Sequence, residues 1–177
     1  MLFDRLRSRR RREAAAHSLY LAAVDAARRP AFYAGRGVPD TLDGRFDLLV
    51  VHAWLTIRRL NGLGEQGRDL SQALFDLMFA DMDQNLREMG VSDLSVGKKV
   101  KQMAKAFYGR VAAYDQGLAE GDAALQAALA RNLFGTAAPA ADQLAAVTDW
   151  LRREAAHVDA QPAAELLEGR ITFAAEP

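Results

Sequence analysis

The stretch GRFDLLVVHAWLTIRRLNG, residues 44–62, constrains the fold more than any other part of the chain. Wound at 3.6 residues per turn, Phe46, Leu49, Val50, Ala53, Ile57 and Leu60 gather on one side, and Leu48, Val51 and Leu55 on the opposite side. A helix that is apolar on two opposite faces leaves one of them wet if it lies on a surface, so it belongs at the centre of a bundle. The rest of the chain has to supply the helices that cover it.

The remaining pattern supplies them. Residues 13–29 are Ala-rich with apolar positions at helical spacing, and Pro30 stops them. PAFYAGRGVPD reads as a loop, with Asp40 or Asp43 as the cap of the central helix. Gly62, Gly64 and Gly67 mark the next loop, ahead of a helix over about 69–89, with Gly90 placed for a left-handed cap. SDLS offers caps for a helix over about 95–119, where Val96, Val100, Met103, Phe107, Val111, Tyr114 and Leu118 recur at steps of three and four. Helices over about 122–134 and 140–157 follow, and the tail from 158 carries Pro162 and a β-prone ITF. No long alternating run and no internal repeat interrupts this. The expected fold is all-α: a compact helical bundle of about six helices over 13–157, with a flexible basic arm over 1–12 and an irregular tail over 158–177.

The 177 residues, half apolar and a quarter charged, suffice for one domain with a proper core. A net charge of zero gives no wholesale attraction to nucleic acid, and no specific DNA binding is expected. The absence of cysteine removes disulfides, thiol catalysis and Cys-type zinc sites. No secretory signal follows the N-terminal arginines, and no uncharged run approaches the roughly 20 residues of a membrane span. The expected location is cytoplasmic, at most peripheral on the inner membrane. Local charge is uneven: MLFDRLRSRRRR carries six arginines against one aspartate, and all four lysines fall within residues 98–105. The arm reads either as a solvated segment or as one whose Leu2, Phe3 and Leu6 dip into an anionic bilayer surface.

Residues 75–90, FDLMFADMDQNLREMG, are both soft and acidic. Phe75, Met78, Phe79, Met82, Leu86 and Met89 form one stripe, flanked by Asp76 and Asp83 on one side and Asp81 and Glu88 on the other, with Arg87 spaced to pair with Asp83. Two readings stay open: a core stripe, or a groove whose methionines mould to varied apolar segments. The candidate groove residues are Phe75, Met78, Phe79 and Met82, with Leu48, Val51 and Leu55 of the central helix as the alternative face. A calcium loop fails, since Leu86 stands where the turn glycine belongs and Ser92 where the bidentate acid belongs. GVSDLSVGKK also fails as a nucleotide loop, leaving only a helix start near Gly97 with free N–H groups. Lys98, Lys101 and Lys105, with Arg110 beyond them, make either a solvated stripe or a contact for an anionic partner. His17, His52 and His157 lack ligand spacing, and nothing assembles a nucleophile with a base. No enzyme activity, metal or cofactor is expected.

Three stretches in order, residues 32–60, 72–110 and the following VAAYD, resemble the ubiquinol–cytochrome c chaperone family, and the likeness covers about residues 19–157. Its strongest positions fall on Pro39, Asp40, Asp43, Gly44, Arg45, Asp47, His52, Asp76, Asp81, Asp83, Gly97, Lys98, Phe107, Tyr108 and Arg110. The size and short basic N-terminus resemble bacterial members. The resemblance implies a non-enzymatic assembly factor for respiratory complex III, whose client is newly made cytochrome b. It also implies candidate partners in the ribosome, an anionic membrane surface and a small helical protein. A haem- or lipid-binding role in the same assembly is the alternative, with His52 and Met82 as axial-ligand candidates.

Overall fold

A computed structural model describes residues 2–135 and 137–174, with side chains from Leu6 onward. Eight α-helices occur among these residues: α1 (Leu2–Ala27), α2 (Pro30–Ala34), α3 (Leu42–Asn61), α4 (Gly64–Glu88), α5 (Asp93–Glu120), α6 (Asp122–Leu129), α7 (Ala141–Ala160) and α8 (Ala163–Leu167). A π-helical turn, Ala130–Phe134, continues α6. No strand forms among the described residues. The all-α expectation holds.

The central helix is where its two apolar faces require it to be. Every residue of α3 from Asp47 to Thr56 is buried, beneath α1, α4, α5 and α7. Burying a Leu or Val side chain contributes about 1.5–3 kcal/mol, so this one segment is a large single contribution to the apolar gain of folding. Leu48, Val51 and Leu55, offered above as a binding face, are each 0 % exposed. That face is core, because a helix greasy all round is covered all round.

Several boundaries differ from expectation for local reasons. Thr41, not Asp40 or Asp43, caps α3, its Oγ1 accepting the Gly44 N–H at 3.1 Å. Asp40 instead accepts from Arg45 at 2.7 Å. Pro30 opens α2 rather than merely ending α1, since its fixed φ suits a first helical position. The bend after Asn61 is shorter than three glycines suggest: α4 already begins at Gly64, and Gly67 lies within it against the Leu60 carbonyl. Gly90 has φ +82°, the left-handed cap expected of it. Ser92 precedes α5 without a side-chain cap bond, and α5 begins at Asp93. Gly97 is therefore in its second turn and offers no free helix start.

The break expected at residue 12 is absent. Helix α1 runs back through the arginines to Leu2, because leucine and arginine are good helix formers and no Gly or Pro interrupts them. Arg9 pairs with Glu13 at 2.7 Å, and Arg12 reaches Asp69 of α4 at 2.6 Å. The proposed dipping of Leu2 and Phe3 lies outside the described side chains.

The tail is also built in. After α8 the chain runs without regular secondary structure over 170–174, and Phe173 packs edge-on to His52 with ring centroids 5.0 Å apart. Gln161 holds Thr172 through both its backbone N–H (2.9 Å) and its carbonyl (2.7 Å). Buried Glu154 accepts the Ala174 N–H at 3.0 Å, and Arg29 donates to the carbonyls of Phe173 and Ala174. Under this strap His52 is fully buried, its ring also packing against Phe32 and Trp150. Nδ1 lies 2.8 Å from the Leu48 carbonyl, so it carries the proton, and Nε2 has no hydrogen-bond partner. Burial lowers the His52 pKa from 6.5 to about 4.

That shift has a sign. Between pH 6.5 and 4 the unfolded chain takes up a proton at His52 that the folded chain refuses, so acidification removes stability across that window. The full slope of such a site is about 1.4 kcal/mol per pH unit. Asp47 and Glu154, whose pKa values burial raises, act in the opposite sense. The clean readout is therefore the difference between wild type and His52→Phe in denaturant unfolding. Wild type should lose stability relative to the variant from pH 6.5 down to 4; parallel curves would show that His52 is not held neutral.

Candidate functional site

The Met-rich stripe of α4 changes character along its length. Met78 is fully buried and Phe79 nearly so; Phe75, Met82 and Leu86 are half-buried; Met89 is 54 % exposed. The cause is geometric. At about 1.5 Å per residue, α4 and α5, with 25 and 28 residues, outreach the 20-residue α3 that they cover. The tip of the α4–α5 hairpin therefore extends past α3, although Val96 there is still fully buried. Phe75, Phe79, Phe107 and Tyr108 seal the proximal part, with ring centroids 4.6 Å apart for Phe75–Phe79, 5.4 Å for Phe75–Phe107 and 5.4 Å for Phe75–Tyr108. Beyond that seal Met82, with Val100 and Met103 of α5, is half-buried against the core, Leu86 and Val91 are half-buried, and Met89 is exposed.

Of the four α4 groove candidates, Met78 and Phe79 are core, Phe75 belongs to the aromatic seal, and Met82 stands where the stripe emerges. The core reading holds at Met78 and Phe79, while from Met82 to Met89 the same stripe is partly exposed.

The acids framing the stripe are partnered within the fold. Asp83 accepts from Arg87 at 2.5 Å, as its spacing predicts, and Arg87 also binds Asp93. Asp81 accepts from the Tyr20 hydroxyl at 2.6 Å and from Asn85 at 3.0 Å, tying α1 to α4. Burial and the bond to Asp81 together raise the Tyr20 pKa. Asp76 accepts from Gln72 at 2.7 Å. No lysine takes part in these contacts, and among the described residues no ion pair involves Lys98, Lys101 or Lys105, all of which are exposed. The basic stripe and the acidic frame are separate surfaces.

Arg110 does not belong with the lysines. Its register turns it toward α3, where its guanidinium lies 2.6 Å from Asp47 Oδ1, a close ion pair rather than a linear hydrogen bond. Burial outweighs that cation and pushes the Asp47 pKa up to about 6. Nearby, Trp54 Nε1 donates to Asp115 at 2.9 Å, and Arg58 reaches Asp159 at 2.8 Å. Asp47–Arg110 and Trp54–Asp115, with buried Tyr114 beside Trp54, lock α3 to α5, and Arg58–Asp159 ties α3 to α7.

The strong positions in the turn before α3 and at its start also have structural partners. Gly44 sits where an added Cβ would lie 2.1 Å from the Pro39 carbonyl oxygen, so the turn Pro39–Arg45 closes only around glycine. Asp43 lies in the first turn of α3, at the positive end of its dipole. Arg45 pairs with Asp40 and lies over the Tyr33 ring at 5.9 Å. His52 is fully buried, and its ring neighbours are Phe32, Trp150 and Phe173. Among the described residues no group of three or more His, Asp or Glu is placed to hold a metal ion.

Leu94 escaped the sequence reading. It is 97 % exposed and Tyr108 59 %. The signal was available: Leu94 precedes Lys98, Lys101 and Lys105 by four, seven and eleven positions, which puts an apolar residue on the charged face.

Residues 34–173 match the family model described as ubiquinol-cytochrome C chaperone. The chain is 27 % identical over 153 residues to ubiquinol-cytochrome c reductase complex assembly factor 1 of Mus musculus, spanning 86 % of this chain and 52 % of that protein. It is 33 % identical over 107 residues to the mitochondrial protein CBP3 of Saccharomyces cerevisiae, spanning 59 % and 32 %. The chain thus spans about half the length of the mouse relative. The crystal structure of the Cbp3 homolog from Brucella abortus matches with a TM-score of 0.86 at 32 % identity, over 98 % of this chain and 97 % of that one.

The change along the stripe is testable by one substitution at each end. Met78→Glu buries a charge without a partner and should cost several kcal/mol, lowering the thermal midpoint steeply. Met89→Glu should leave the midpoint within about 0.5 kcal/mol of wild type. Equal losses at both positions would show that the hairpin tip is covered.

Proposed function

Because this chain belongs to the ubiquinol–cytochrome c chaperone family, we propose that it is a non-catalytic assembly factor for the ubiquinol–cytochrome c reductase complex, and that its client is newly made cytochrome b. The observation that carries the reading is the emergence of Met82, Leu86 and Met89 from the core at the open end of the α4–α5 hairpin. An unassembled membrane subunit presents apolar helices of varied shape. Unbranched, polarizable methionine side chains adapt to such surfaces where leucine or valine would demand one fit. Asp83, Arg87 and Glu88 around the opening keep the empty protein from pairing with itself through the same patch.

A contact limited to Met82, Leu86 and Met89 suits a holder that must release its client to the next subunit. Client helices would extend the stripe outward from Met82, continuing the side-chain packing that Phe75, Met78 and Phe79 begin inside. The sealed half then acts as a rigid base for the adaptable half. No cofactor enters this account. The work is done at the inner membrane, where cytochrome b is inserted.

Two measurements test it. Deleting the gene should lower the cytochrome b absorbance and the assembled reductase together; normal levels of both would refute an assembly role. The Leu86→Glu, Met89→Glu double variant should capture nascent cytochrome b at least about tenfold less well, equivalent to about 1.4 kcal/mol, with its thermal midpoint retained. Undiminished capture would move the client site off the hairpin.

A further inference from the structure

We infer that the outer face of α5 docks on an anionic lipid surface, through Leu94, Lys98, Lys101, Lys105 and Tyr108. These residues follow one another at steps of four, three, four and three, so at 100° per residue they share one narrow stripe. It lies opposite the core-facing Val96 and Phe107, and Tyr108 at its end also reaches the α4 stripe, its ring 5.4 Å from that of Phe75. Leu94 and Tyr108 are exposed at its two ends, about 21 Å apart along the helix axis.

Between them the segment 94–108 contains four lysines and no acidic residue. None of the four takes part in an ion pair among the described residues. Asp83 and Asp93 are already held by Arg87, and Glu88 accepts from Gln84. The stripe is therefore a single-sign surface with an apolar residue at one end and an amphipathic ring at the other.

The chemistry selects the partner. A protein interface is built on a contiguous apolar centre, whereas here the apolar points stand at opposite ends with charge between them. Phosphate-specific recognition of RNA favours arginine forks and stacking rings along the groove, yet three of the chain's four lysines line this face and no arginine joins them there. A bilayer surface asks for less. Flexible ammonium groups meet diffuse headgroup charge, an isolated leucine dips below the headgroups, and a tyrosine settles at the interface. No helix among the described residues is long and apolar enough to cross a membrane, so a surface stripe of this kind is how the described chain would be held there.

The test uses the full chain and two kinds of vesicle, phosphatidylcholine alone and phosphatidylcholine mixed with phosphatidylglycerol. Wild type should sediment with the mixed vesicles, not the neutral ones, and should release as salt is raised. The Lys98→Glu, Lys101→Glu, Lys105→Glu variant should bind at least tenfold less. In Leu94→Trp/Trp54→Phe/Trp150→Phe, where the only tryptophan is at 94, emission should shift to the blue on adding mixed vesicles and be quenched by brominated lipid. If that background does not fold, a spin label at Leu94→Cys gives the same depth reading in the wild-type frame. Undiminished vesicle binding by the lysine variant overturns the inference. So does a residue-94 probe that stays in water, or lysine-dependent retention by purified ribosomes with no binding to vesicles.

Discussion

From Asp47 to Thr56 no residue of α3 reaches the surface, and the need to cover that segment organises the other helices around it. Four helices pack against it, the π-turn after α6 fills a further gap, and the C-terminal strap closes over His52. The polar groups drawn into this core are few and specifically placed. Asp47 is held by Arg110, Thr56 donates to the His52 carbonyl at 2.9 Å, and His52 stays neutral against the Leu48 carbonyl. A charge left unpaired here would cost several kcal/mol, which explains why so many of the strong family positions prove to be scaffold.

Covering a 20-residue helix with a hairpin whose arms are longer leaves a surplus, and the surplus is where the surface acquires character. On the inside of the hairpin tip the core stripe runs out into solvent as methionine and leucine. On its outside the lysines stand unpaired between Leu94 and Tyr108. The two faces differ in chemistry because one continues the packing of the bundle and the other turns away from it. Having both on one rigid hairpin would hold a client and a membrane surface close together without any moving part.

The central position of α3 was legible because its apolar residues recur on two faces, and the hairpin helices were legible from their spacing and from Gly90. Burial at a given point of a stripe was not. Phe75 to Met89 is one continuous pattern in sequence, and only the relative lengths of α3, α4 and α5 decide where the core ends. Arg110 misled for a related reason: adjacency to a basic run says nothing about which face a residue takes unless its register is counted. The arm and tail misled because composition marks them as polar or irregular, while their order comes from contacts distant in sequence. Arg12 meets Asp69, and Phe173 meets His52.

The central claim is that the emergent half of the stripe, and not its sealed half, touches the client. A photoreactive side chain placed in turn at Met78, Met82, Leu86 and Met89, and activated while cytochrome b is being synthesised, reads this directly. Adducts with cytochrome b are predicted from Met82, Leu86 and Met89 and none from Met78. Adducts absent from all three outer positions, with the protein folded and cytochrome b accumulating normally, would contradict the account.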